Sequence, residues 1–438
     1  MTDRIDPASG LARTIGPFGL ASSVINVTIG SSIFIFPAIV AGSLGAAAIL
    51  AYLVAALAMG LIALCFAESG SRVTRAGGAY AYVETAFGPF AAWIVGLLIY
   101  LGVQLIASAV VGSVFVRSLS VLIPGVASGL PRALLLVAIY SVFAVINVRG
   151  GARLGAKVVE GVTLVKLTPL VILVLIGLVA YRPEFVRWDG MPPAADVARM
   201  AMRLLYLFAG LEAVLSVSGE LRDPARTVPR GVLGGLAVVT VIYLGLQFAA
   251  RGLLGPELPN HTQAPLADAA AVVLGSPGRT LMLLAAVIST LGFLSADMLA
   301  SPRTLFAMAA AGRLPRGIAA VHPRFGSPAV AIVLHTALAL GLAILADFDT
   351  LTALASSALL LIYLLCCSAT LVLQYRKVGA DTVAFRLPAG PVIPLAALAL
   401  VVYLTTTLTI REIVAVAVVV AGAGVAYLVS RRTARPSA

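Results

Sequence analysis

Apolar runs longer than about 18 residues recur along nearly the whole chain, and each is long enough to cross the roughly 30 Å hydrocarbon core of a bilayer as a helix. Hydrophobic residues occupy 61% of the 438 positions and charged residues only 11%, against roughly 45–50% and 25% in soluble domains. Water-soluble packing is excluded. The expectation is an all-α polytopic membrane protein, a single membrane domain over residues 1–438 with the lipid bilayer as its surroundings.

The runs place twelve spans at residues 14–40, 43–67, 87–119, 133–148, 158–181, 197–220, 230–252, 268–310, 328–346, 351–373, 391–409 and 412–430. A net charge of +12 and a pI near 10.1 raise the question of an anionic partner, which the placement of the charge decides. With a cytoplasmic N-terminus, twenty of the 30 Lys and Arg residues fall in cytoplasmic segments and eight on the opposite face, leaving Lys166 and Arg203 within spans. This is the positive-inside bias that orients membrane proteins. It accounts for the charge without nucleic acid and puts both termini in the cytoplasm, with the plasma (inner) membrane as the expected location.

Cys65, Cys366 and Cys367 lie inside apolar spans, where cysteine behaves as a small hydrophobe; neither a disulfide nor a metal site is expected. The first apolar run is longer than the core of a signal peptide, which predicts an uncleaved first span.

Two spans are interrupted in their middles, five spans apart: Thr28-Ile29-Gly30-Ser31-Ser32 in the first and Phe208-Ala209-Gly210-Leu211-Glu212 in the sixth. Backbone that leaves helical geometry inside hydrocarbon costs several kcal/mol per unsatisfied group, so such breaks persist where they line a cavity. Matching breaks in two halves of a membrane protein point to an inverted repeat around a central site. Spans one to five (14–181) and six to ten (197–373) form the halves, and 391–430 holds two extra helices. The alternative is that the glycines and serines only permit close helix packing.

Four segments in order carry a resemblance. The first span has Gly30-Ser31-Ser32-Ile33-Phe34 followed by Pro37. Residues 68–89 read ESGSRVTRAGGAYAYVETAFGP, residues 208–231 read FAGLEAVLSVSGELRDPARTVPRG, and residues 301–315 read SPRTLFAMAAAGRLP. These resemble the amino acid-polyamine-organocation superfamily of permeases. The resemblance implies a five-plus-five inverted repeat with broken first and sixth helices, a small-molecule substrate, no cofactor, and secondary active transport of an amino acid, proton-coupled or exchanging. A polyamine or cationic amine carrier of the same fold is the alternative. Ser32 stands where the family usually has a second glycine, so a side chain intrudes where backbone approaches the substrate.

An amino acid presents a carboxylate and an ammonium, and broken helices offer complementary ends. Amides at Ser31, Ser32 and Ile33 begin the second half of span one and suit the carboxylate. Carbonyls near Thr28 and Ile29, and near Tyr206 and Ala209, suit the ammonium. By resemblance these are backbone contacts of the substrate, with Gly30 and Gly210 at the breaks and Tyr206 or Phe208 as the covering aromatic. Gln104 and Tyr100 of span three are candidates for the pocket wall. Lone His335, in span nine, reads as structural or adjacent to lipid.

Glu212, Lys166 and Asp297 lie deep within spans and need partners, because charge at this depth costs at least about 2.5 kcal/mol. Glu212 follows the second break; the resemblance implies a gating or proton-sensitive carboxylate, and capping of freed amides is the other reading. Lys166 lies in VVEGVTLVKLTPL, which is similar to proton-linked members whose span-five lysine takes the place of a sodium ion; snorkelling to the surface is its alternative. Asp297, counted back from Gly312-Arg313-Leu314-Pro315, falls where family members place a substrate-facing side chain. Its partner is a cationic substrate, Lys166 within a relay, or a neighbouring helix.

A membrane enzyme would need clustered catalytic groups, and the histidines, His261, His322 and His335, are scattered. A non-transporting amino acid sensor is the remaining alternative.

Overall fold

The computed structural model describes residues 16–73, 78–150, 152–188, 190–211, 221–310, 312–379 and 385–433. Among these the chain is helical and contains no strand. Helices run in the order α1 (Pro17–Thr28), α2 (Phe36–Leu44), α3 (Ala48–Arg72), α4 (Ala79–Phe87), α5 (Pro89–Leu97), α6 (Leu105–Leu122), α7 (Gly129–Gly150), α8 (Ala152–Ala180) and α9 (Ala194–Phe208). They continue with α10 (Pro224–Leu254), α11 (Pro265–Ala310), α12 (Ala329–Leu345), α13 (Phe348–Tyr375), α14 (Val392–Thr405) and α15 (Ile410–Thr433).

Among the described residues six stretches of helix are long and apolar enough to cross a membrane, 36–72, 89–121, 129–149, 226–260, 265–310 and 348–375, and the chain is a polytopic membrane protein. α14 and the 410–425 part of α15 meet the same test together but are bent by 117°. Residues 166–180 and α12 form shorter apolar helices. Many exposed side chains are large and apolar, among them Leu57, Val179, Leu345 and Val418, as a surface facing lipid tails requires.

Two expected spans are less regular than their composition suggests. The third is continuous over Pro89–Leu122 but turns π-helical at Leu98–Gln104 between α5 and α6, a form that in other proteins frequently marks functional positions. The eighth is broken near its start at Gly275, whose φ of 63° and ψ of −154° no helix accommodates.

The first helix ends where the sequence loses its apolar pattern. Ile29 closes α1 with ψ of 78°, and Gly30 N bonds back to Thr28 O at 2.8 Å. Helical structure resumes as a short 3-10 turn at Ser32–Phe34, then as α2, where Pro37 sits in the first turn because it needs no amide partner there. The second interruption follows Phe208. Ala209 is extended, and Gly210 has φ of 128°, open to a residue without Cβ.

α10 brings these breaks together. A Cβ at Gly231 would lie 2.7 Å from the side chain of Leu20, and one at Gly235 would lie 2.8 Å from that of Val24. Small residues four apart thus let α1 approach α10 closely, which places Tyr243 of α10 beside the end of α1.

Candidate functional site

The two interruptions meet at a cavity of about 210 Å³. Thr28, Gly30, Ser31 and Ser32 reach its wall from the first break, and Tyr206, Ala209 and Gly210 from the second. Lys166 comes from α8, Asp297 from α11 and Gln104 from the π-helical turn. Ile29, Ile33 and Phe208 are fully buried but do not line the cavity. Phe208 packs edge-on against Tyr243 with ring centroids 5.1 Å apart, so of the two aromatic candidates only Tyr206 stands on the wall. Glu212 lies outside the described residues.

The backbone at the breaks is more fully engaged than the sequence suggests. Thr28 O accepts from Gly30 N at 2.8 Å and from the Tyr243 hydroxyl at 2.7 Å, which uses both of its lone pairs. Leu207 O also faces the Tyr243 hydroxyl at 3.0 Å, and Tyr206 O accepts from Ala209 N at 3.3 Å. The expectation that the Thr28 carbonyl stands open for an ammonium is therefore corrected: a tyrosine six spans away has taken it. The amides of Ser31, Ser32 and Ile33 precede the first bond of the resumed helix, Phe34 N to Ser31 O at 3.2 Å.

Side chains supply what the carbonyls do not. Thr28 Oγ1, Ser31 Oγ and Gln104 Oε1 are buried without a hydrogen-bond partner, and all three residues line the cavity. Buried polar atoms are rarely left unpaired, and their gathering on one wall marks a surface that a polar ligand completes.

Lys166 is buried, and its Nζ donates to Asn26 O of α1 at 2.7 Å. It points inward and does not snorkel. Asp297 is also buried and makes no ion pair with Lys166, although both line the cavity. Its Oδ1 accepts from Ser301 Oγ at 2.6 Å, and its Oδ2 accepts from Ser108 Oγ of α6. His335 Nε2 lies 3.1 Å from the same Ser108 oxygen and 3.6 Å from Asp297 Oδ2, while Nδ1 lies 3.2 Å from the Tyr100 hydroxyl.

His335 is fully buried, which removes the lipid-adjacent reading, and its contacts with Tyr100 and Ser108 place it beside the cavity carboxylate. Tyr100 partners it and does not line the cavity. A lone histidine in an apolar span carries no signal of this. Ser301 was within reach of the sequence, since it stands one helical turn after Asp297, and Ser108 stands one turn after Gln104 on the same face.

The family model described as amino acid permease matches residues 15–428. The chain belongs to that family. The resemblance carried by the four motifs is borne out, and the match also takes in the last two helices, where those motifs are silent. This permease is similar to the serine/threonine exchanger SteT of Bacillus subtilis (strain 168), at 28% identity over 399 residues covering 89% of this chain and 90% of that one. The methylthioribose transporter of the same organism is 27% identical over 403 residues, covering 89% and 87%. Its branched-chain amino acid permease BcaP is 28% identical over 413 residues, covering 90% and 88%. The protein is an integral membrane transporter of amino acids and not an enzyme.

Proposed function

We propose that this permease is a secondary active carrier, proton-coupled or exchanging, that binds its amino acid in the cavity between the two helix interruptions. The observation that carries the reading is the convergence of Thr28, Gly30, Ser31 and Ser32 with Ala209 and Gly210 on one cavity. The amides of Ser31, Ser32 and Ile33 begin a helix segment and suit the substrate carboxylate. The free oxygens of Thr28 and Gln104 suit its ammonium, a task the paired Thr28 carbonyl no longer performs. Tyr206 covers the bound molecule, and Glu212 acts as a gate by resemblance.

The layout that goes with this reading is twelve spans, with 14–181 and 197–373 as inverted repeats and 391–430 as two additional helices. The paired breaks five spans apart and the shared wall they form support it. The positive-inside bias supports cytoplasmic termini in the plasma membrane. Lys166 is the coupling residue: its ammonium is tied to the carbonyl of Asn26, two residues before the break, so gain or loss of its proton alters the tether on α1.

Uptake of a radiolabelled amino acid panel into proteoliposomes tests the reading. Gly30→Leu fills the cavity, since nothing lies within 4 Å of a Cβ built there, and is expected to abolish both binding and uptake. Intact uptake by this variant at normal expression places the site elsewhere.

A further inference from the structure

The residues around Asp297 form a chain with a definite direction. An ionised carboxylate only accepts hydrogen bonds, and a serine hydroxyl has one proton to give. Ser108 donates that proton to Asp297 Oδ2. Its oxygen must then accept from His335 Nε2, so the network assigns the ring hydrogen to Nε2. Nδ1 faces the Tyr100 hydroxyl at 3.2 Å. The donors of His335 and Ser108 point toward the carboxylate, and Ser301 adds another on Oδ1. Tyr140, on α7, donates to Ser108 O at 2.6 Å and fixes the backbone of the link.

Asp297 lines the cavity, and among the described residues no lysine or arginine pairs with it; His335 Nε2 stands 3.6 Å from its Oδ2. Lys166, the cation of the same cavity, donates to Asn26 O and makes no ion pair with it. Carboxylate oxygens together offer about four acceptor positions, and two hydroxyls fill two of them. Asp297 lines the cavity together with the apolar Phe293 and Ala300. A charge at membrane depth finds a partner, and Lys166, the basic residue of the same wall, is held by Asn26 O.

We infer that the substrate supplies that partner: the permease prefers an amino acid with a cationic side chain, which Asp297 receives, and His335 acts through Ser108 as a positioning residue that keeps the carboxylate oriented. This rests on the reading of the cavity as the substrate site.

Arginine and citrulline, equal in shape and different in charge, are the probes. Competition binding to the purified protein is expected to favour arginine by about tenfold or more, the usual worth of a hydrogen bond to a charged partner. Asp297→Asn should bring the ratio to within about twofold. His335→Leu should lower the ratio, and His335→Gln, whose amide N–H reaches the place of Nε2, should retain it. Ser108→Ala cuts the link in the middle and should match His335→Leu, standing in for it if that variant does not fold. A purely structural histidine would weaken both ligands by the same factor, which overturns the inference. So does a parent protein without preference for arginine, or a ratio that survives in both His335→Leu and Ser108→Ala. If Gly30→Leu binds both probes as the parent does, the cavity reading itself has failed; if it blocks both while the ratio survives the His335 and Ser108 changes, only this inference has.

Discussion

The hydroxyl of Tyr243 stands 2.7 Å from the carbonyl of Thr28, and on its other side 3.0 Å from the carbonyl of Leu207. One side chain on α10 therefore holds the backbone at both helix interruptions. A hydroxyl has a single proton, so the two carbonyls share it, and the two breaks are linked through a bond that either can claim.

Tyr243→Phe leaves Leu207 O short of a donor and Thr28 O with Gly30 N alone, while keeping the ring against Phe208. The expected loss is about 1–3 kcal/mol of stability, the cost of leaving a buried acceptor unpaired. Thermal unfolding in detergent reads it, and uptake should fall as well. A variant as stable as the parent would show that water replaces the hydroxyl.

The glycines at the two breaks should respond differently to the same change. A Cβ at Gly210 would meet Val27 Cγ1 at 2.7 Å, and φ of 128° strains any other residue. Gly210→Ala is expected to lower stability by at least about 1–2 kcal/mol. A Cβ at Gly30 meets nothing within 4 Å, so Gly30→Ala should fold normally and weaken substrate binding. Equal loss of stability in both variants would argue against this distinction.

Lys166→Ala removes the ammonium tied to Asn26 O. Substrate-driven acidification of vesicles, measured without sodium, should be present in the parent and absent in the variant, while the protein still folds. Sodium-dependent uptake by the parent would count against proton coupling at this residue.

Asp347 begins α13 and accepts from the Thr350 hydroxyl at 2.6 Å and the Thr350 amide at 2.8 Å. The bond from the hydroxyl first, and then that from the amide, hold its carboxyl below the usual range. Because the folded value is depressed, the stabilisation is present above the ordinary carboxylate pKa of about 3.9 and is lost as pH falls below it. Asp347→Ala should cost about 1 kcal/mol at neutral pH, as loss of a helix cap does. The difference from the parent should shrink in melts near pH 3, roughly a unit below that pKa. A gap that is unchanged by pH would mean that the cap acts through its shape alone.

The cavity was legible to the extent that its wall is backbone. Glycine, serine and threonine in the middle of an apolar run report a break locally, and the wall residues of both breaks follow from that pattern, Gly30 and Gly210 among them. Lys166 and Asp297 announced themselves because ionisable residues are so few among long apolar runs. Ile29, Ile33 and Phe208 belong to the same motifs but face the core. Motif membership does not say which way a side chain turns when the helix around it is interrupted.

Helical membrane architecture and the two places where helices break were decided by the sequence alone, because transfer of an apolar run into lipid and the loss of helical pattern are properties of consecutive residues. Tertiary structure decided who satisfies whom. Tyr243 takes the Thr28 carbonyl across a sequence separation of 215, and Ser108 joins Asp297 to His335 across separations of 189 and 227. Inside a low-dielectric interior each polar group must find its partner among whichever side chains the packed helices bring within about 3 Å, and no periodicity along the chain records that choice.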